Sequence, residues 1–333
     1  DLLGSPDGSS LSQRDLARSQ LASSTPSAEA LASAATAAIA MSATAPADIY
    51  LANGYGVFFA GDVAATETEQ AGMIGTDIAD IAALTAGLDH SDGRGLVAGV
   101  ALSYLQSNVA QDYGFGGDTS SNGVALSGYA NLDRNLFHLD VYASGAWHDF
   151  ETERTLLVGP LTFDTALGET NANQVQLGAT IGHGLIKNTW LKAGAVGGMY
   201  YISMDIDAYT ETGAGAFGAA LSARSLDSLR SQLGGEVALH MNANNDSLVP
   251  ILRVVWNHEF MDDPLAATAA FSGAPAVTFT SPGPDLGTDW ATVGVGVSGR
   301  VGAGASFYFR YQHDLGRDGQ ENHEVSAAAR MAF

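Results

Sequence analysis

The last twelve residues, Asn322 to Phe333 (NHEVSAAARMAF), separate into two sets when read in steps of two. Val325, Ala327, Ala329, Met331 and Phe333 are apolar, whereas Glu324, Ser326, Ala328, Arg330 and Ala332 carry both charges. A period of two is that of a β-strand, whose successive side chains point to opposite faces. A terminal strand with one apolar face, ending on a bare aromatic, suits a closed barrel in lipid. There the last strand pairs with the first, its apolar side facing hydrocarbon and its polar side facing inward. The competing reading is an edge strand of a soluble sandwich.

Composition favours the barrel. Only 15% of the 333 residues are charged, yet no apolar run is long enough for a transmembrane helix. Alternating transmembrane strands give that combination, because each averages half apolar and half polar. The chain has no cysteine, which fits passage through an oxidising compartment without mispairing. A formal charge of −22 argues against nucleic acid as a partner. It suits the solubility of exposed loops. In a membrane setting it also suits divalent cations bridging acidic loops to anionic lipopolysaccharide.

Residues 1–24 are polar and Ser-rich, as in a linker or the remnant of something larger. Residues 25–47 predict a helix. Thr25 is placed to cap it, Pro26 sits at the first helical position, Glu29 lies near the positive end of the dipole, and Pro46 stops the run. About twenty residues at 1.5 Å each span ~30 Å, the thickness of a bilayer core. The side chains are nearly all small, so the helix is a thin rod suited to a barrel lumen. A signal peptide is the rival reading, with Ala43-Thr-Ala45 as cleavage site. Glu29, Pro26 and the polar leader count against it.

From residue 48 to 333 the chain alternates. Twelve strands are expected near 53–63, 78–89, 95–106, 122–131, 137–150, 172–185, 189–203, 227–241, 248–260, 288–300, 304–314 and 322–333. Short joints at 90–94, 132–135, 185–189, 242–247 and 300–304 alternate with longer connections, chief among them 151–171, 204–226 and 261–287. Short turns on one side and long loops on the other is the layout of outer-membrane barrels. Phe137, Leu139, Val141 and Trp147 alternate with His138, Asp140 and Tyr142; Leu252, Val254, Trp256 and Phe260 alternate with Arg253, Asn257 and Glu259. A charge facing lipid costs roughly 2–4 kcal/mol at the midplane. Lys192, Arg230, Glu236, Arg253, Glu259, Arg310, Glu324 and Arg330 are therefore expected to face the lumen. Trp147 and Trp256 suit an interfacial girdle; Trp190 and Trp290 fall on the polar register.

Three stretches resemble the C-terminal translocator domain of type Va autotransporters: Gly123–Ala130 with Phe137–Gly145, Val254–Phe260, and Phe307–His313 through Phe333. The resemblance covers about 45–333. It implies an all-β fold, a twelve-stranded antiparallel transmembrane β-barrel with an N-terminal α-helix threaded through the lumen. It implies an outer-membrane protein that carries its own N-terminal passenger to the cell surface. It further implies assembly by the outer-membrane barrel machinery, which reads the terminal strand (Val325, Ala327, Ala329, Met331, Phe333). Long loops and passenger would be extracellular, the barrel termini periplasmic, and the molecule a monomer. Members that cut their own passenger inside the pore use an Asn pair in the lumen helix. Residues 25–47 hold no Asn, the first being Asn53, so self-cleavage is not expected.

Other chemistry finds little support. The G-x-G-x-x-G matches at 213–218 and 294–299 lie in a long loop and inside an alternating strand, not between a strand and a helix, so no cofactor is expected. No zinc-type histidine spacing occurs; His258-Glu259 and His323-Glu324 are neighbours on opposite strand faces, and no metal is expected. His138, His148 and His240 suit hydrogen bonding in the lumen. No G-x-S-x-G elbow is present, and the segment is not expected to be an enzyme. A porin-like diffusion channel and a surface adhesin are the alternative functions.

Overall fold

The computed structural model describes residues 54–69, 76–111, 116–134, 137–157, 163–243, 246–263, 265–281, 283, 286–301 and 304–332. The leader 1–24, the Ala-rich segment 25–47 and Phe333 lie outside them. The strands are β1 (Gly54–Glu69), β2 (Thr76–Ser91), β3 (Leu96–Gln111), β4 (Gly117–Arg134), β5 (Phe137–Leu157), β6 (Phe163–Lys187), β7 (Leu191–Ile206), β8 (Tyr209–Thr210), β9 (Ala219–Leu221), β10 (Arg224–Leu239), β11 (Met241–Ala243), β12 (Asp246–Glu259), β13 (Ala267–Phe271), β14 (Thr278–Ser281), β15 (Asp289–Val301), β16 (Ala305–Leu315) and β17 (Gln320–Ala332).

Twelve of them form one closed antiparallel barrel: β1 to β7, β10, β12, β15, β16 and β17. Two pairings close it. β1 meets β17 from Gly56↔Ala332 to Thr68↔Gln320, and β10 meets β12 from Arg230↔Glu259 to Ala238↔Ile251. Closure removes the open edges a flat sheet would expose, which lipid cannot hydrate. The twelve strands fall on the expected segments but several run longer; β5 and β6 extend into the connection expected at 151–171. All five short joints lie at one end, where β1 begins and β17 finishes.

Burial alternates along the strands, as the period of two demands. On β2, Ala79, Ile81, Ala83, Thr85 and Asp89 are buried while Ile78, Leu84 and Leu88 are exposed. The exposed set is apolar around the barrel, including Phe59, Leu102, Leu126, Trp147 and Leu233. In water this would be costly; facing hydrocarbon it is the stabilising arrangement.

The inward-facing set repeats a second pattern. An aromatic ring on one strand lies directly opposite a glycine on the next: Phe58↔Gly87, Tyr129↔Gly99, His148↔Gly123, Tyr142↔Gly178 and His138↔Gly182. A Cβ at each of these glycines would collide with the facing ring. The missing side chain lets the ring lie flat on the wall, so that bulky residues line the interior without filling it.

The longest connections are not plain loops. β5 and β6 pair as far as Leu157↔Phe163, whereas β4 leaves β5 at Arg154 and β7 leaves β6 at Ala172. The hairpin therefore overhangs its neighbours. Glu151 and Glu153, within the connection expected at 151–171, are exposed strand residues on it. The connection after β7 folds back on the overhang, with Thr212 and Leu167 exchanging backbone hydrogen bonds of 2.8 and 2.9 Å. β8 and β9 from this connection join β13 and β14 from the connection after β12 in a separate sheet of order β14-β13-β9-β8. Tyr209, Ala219, Leu221, Ala269 and Phe279 form its core. Leu265 packs on Phe150, Ala172, Met204 and Ile206, all on the inner register, so this second sheet folds over the inner side of the mouth.

Candidate functional site

The functional surface of such a barrel is its inner wall, where the same alternation that exposes apolar residues gathers polar ones. Buried there are Asp62, Asp89, Ser103, Ser127, Asp140, Gln176, Ser298 and Glu324, among others.

Arg330 on β17 reaches Asp89 on β2 by crossing over β1. Its Nε donates to Asp89 Oδ2 at 3.0 Å and its Nη2 to Oδ1 at 2.6 Å. The crossing is open because Gly56 lies between; a Cβ there would meet both side chains. The hydroxyl of Tyr129 adds a third donor to Asp89 at 3.2 Å. The ion pair thus spans the closing seam between the first and last strands.

Glu324 holds a second cluster on that seam. It accepts from Arg310 Nη2 at 3.1 Å, Gln312 Nε2 at 2.8 Å and Ser326 Oγ at 3.0 Å. Asp62 on β1 lies directly opposite Ser326. Across the barrel, Glu236 and Arg253 are direct cross-strand partners, and Arg253 donates to Gln232 at 3.4 Å. Arg230 lies over the rings of Tyr200 at 5.4 Å and Trp290 at 5.7 Å, a cation–π arrangement that Arg317 shares at 4.1 Å from Trp290. Trp290 is accordingly an inner residue at 3% exposure, while Trp147 and Trp256 point outward. Trp190 is exposed in the joint before β7.

Glu259 ends the β10–β12 pairing. Its carboxylate accepts from Ser228 Oγ at 2.7 Å and from the backbone N–H groups of Leu229 at 2.8 Å and Met261 at 3.0 Å. Lys192 is half-buried opposite Ala238. His148 shares a hydrogen bond with Gln174 at 2.8 Å. On β17 Ala327, Ala329 and Met331 are exposed and Val325 half-buried, facing Gly61, Phe59, Val57 and Val63 of β1.

Sequence reasoning missed the acidic partner of Arg330. Asp89 lies in the inward set of β2, and the alternation of that strand is the signal for it. It also missed Arg154 and Glu211, which form a buried two-toothed ion pair between the β5 overhang and the folded connection. Here no local signal exists, since the pair depends on how a loop packs.

Taken together, the wall is a polar lining with hydrogen-bonded clusters around Asp89 and Glu324, inside an apolar outer shell. The model of the autotransporter beta-domain family matches residues 48–312.

The chain belongs to the autotransporter β-domain family.

Solved autotransporter barrels share its fold. The translocator domain of NalP from Neisseria meningitidis is similar with a TM-score of 0.68 at 16% identity, over 92% of this chain and 94% of that one. The β-domain of the Bordetella autotransporter BrkA has a TM-score of 0.62 at 16% identity, over 84% of this chain and 100% of that one. The transport unit of AIDA-I from Escherichia coli has a TM-score of 0.59 at 11% identity, over 84% and 90%. A search of curated protein sequences finds no match. The autotransporter β-domain described above is an outer-membrane translocator for passenger secretion, and membership of the family implies a passenger joined on its N-terminal side.

Proposed function

We propose that the passenger moves through this barrel from the short-joint end to the long-connection end, and that residues 25–47 remain behind as a helical plug. The observation that carries the proposal is the place where β1 begins. Gly54 and Gly56 open at the short-joint end, beside the finish of β17. A chain entering there passes up the polar interior, and about twenty helical residues cover the ~30 Å of a bilayer core. In this reading the short joints are periplasmic and the sheet built from β8, β9, β13 and β14 is extracellular. The outer face of β17, with Phe333, is the signal read by the barrel assembly machinery. Lipopolysaccharide surrounds a monomer, bridged to acidic loops by divalent cations. The inner-wall charges hold the lumen hydrated and grip the plug. The barrel itself breaks no bond and needs no cofactor.

Deleting residues 25–47 and measuring single-channel conductance in planar bilayers tests this. The expected result is a rise in conductance over the full chain; an unchanged conductance overturns the plug.

A second reading, attachment to a surface partner, draws on the folded sheet at the mouth, which offers a rigid face where a plain loop would not. A barrel trimmed of residues 209–221 and 267–281 that still binds the host removes it.

A further inference from the structure

Two histidines and a glutamate meet on the outer rim of the barrel, away from the inner wall. His313 near the end of β16 and His323 near the start of β17 are direct cross-strand partners. Their rings stack with centroids 4.3 Å apart and planes 13° apart. Glu321 lies two residues before His323 and so on the same face, with its Oε1 at 3.2 Å from His323 Nε2. One ligand atom from each of the three side chains lies within 4.8 Å of the others.

We propose that His313, His323 and Glu321 form a site for a divalent transition-metal ion of the zinc type, bound through both Nε2 atoms and the carboxylate. The second nitrogen of each ring supports this. His313 Nδ1 is 3.0 Å from the carbonyl oxygen of Asn322. A carbonyl only accepts, so the proton of neutral His313 sits on Nδ1 and its Nε2 lone pair is free. His323 Nδ1 is 2.8 Å from the Tyr311 hydroxyl, which can accept the Nδ1 proton once Nε2 turns to a metal. A metal-bound imidazole generally carries such a partner on its far nitrogen, which sets tautomer and orientation.

The local charge adds to the case. Glu67 of β1 lies directly opposite Glu321, both exposed on the outer face. Like charges directly opposed across strands are destabilising, and a bound cation relieves that. Two imidazoles with one carboxylate favour zinc, nickel or copper over calcium and magnesium, which require more oxygen ligands. Two nitrogens on one zinc stand about 3.3 Å apart at ordinary bond lengths, and the ligand atoms here already lie within 4.8 Å of one another. A fourth position stays open to water. The bound ion would tie β16 to β17 at the mouth, beside the closing seam.

Calorimetric titration of the full chain in detergent with zinc chloride, in chelator-free buffer, tests the site. We expect one zinc per chain, with affinity reduced at least about tenfold by His313→Gln, His323→Gln or Glu321→Gln, and unaffected by excess magnesium. Tyr311→Phe, which leaves all three ligands in place, should weaken binding less. Zinc should also raise the unfolding midpoint of the full chain and not that of the His313→Gln/His323→Gln double variant. These side chains lie at strand ends, so the variants should fold; unfolding curves without zinc check this. Equal zinc affinity in the full chain and a folded double variant would overturn the site, as would displacement of zinc by magnesium.

Discussion

Arg330 and Asp89 are 241 residues apart in the chain and joined by a two-toothed ion pair that passes over Gly56. The pair ties the last strand to the second and straps the first strand between them. Its side chains are 9% and 1% exposed, so this is a buried pair.

Arg330→Ala should therefore cost more than an ordinary surface ion pair. Removing one partner of a buried pair costs about 3–5 kcal/mol, because the remaining charge is left uncompensated. The midpoint of urea unfolding in micelles should fall accordingly, and the Arg330→Ala/Asp89→Ala double variant should recover part of the loss. A double variant as unstable as the sum of the two single variants would show that the two residues are not coupled.

The ring of Tyr142 against Gly178 supplies a second test. Gly178→Ala places a methyl group inside the ring and forces Tyr142 off the wall, an overpacking that typically costs about 1–3 kcal/mol. Gly128→Ala is the control, since a Cβ there meets nothing within 4 Å. Unfolding midpoints should drop for the first and stay near the full chain for the second.

Glu211 anchors the folded connection at the mouth. It pairs with buried Arg154 and accepts from the backbone N–H of Ala219 at 2.8 Å. Glu211→Ala should raise hydrogen exchange in residues 209–221 and 267–281 while leaving β1 to β4 protected. Uniform loss of protection would mean that the second sheet and the barrel unfold as one unit.

Asp92, in the short joint between β2 and β3, offers a pH test outside the spanning strands. Its Oδ1 accepts from the backbone N–H groups of Leu96 at 2.9 Å and Arg94 at 2.6 Å. These bonds hold its carboxyl below the usual carboxylate range. A folded-state pKa below the unfolded value means that the turn is stabilised above the unfolded pKa. That stabilisation is lost as pH falls through the folded pKa. An NMR titration of the Asp92 carboxyl should place its midpoint below that of an unfolded peptide. Coincident midpoints would remove the turn bonds from the account.

Much of the fold is legible in the sequence. Val325, Ala327, Ala329 and Met331 fall on one side by counting in twos, and the twelve strands follow from the same count. What faced what was harder. Glu151 and Glu153 fall in the connection expected at 151–171, yet they belong to the overhanging β5–β6 hairpin. His323-Glu324 was set aside as a ligand pair because neighbours on a strand point apart. The residues that share the face of His323 are Glu321, two residues back, and His313 on the adjoining strand.

The period of two is a property of one strand and its solvent. The sequence by itself therefore determined a closed apolar shell with a polar interior, its strand number and its family. Which side chains meet is decided by the hydrogen-bonded register between strands and by the packing of loops, and neither is written locally. Only the tertiary structure could set Arg330 on Asp89 across Gly56, build one sheet from two connections, and bring His313 beside His323 and Glu321.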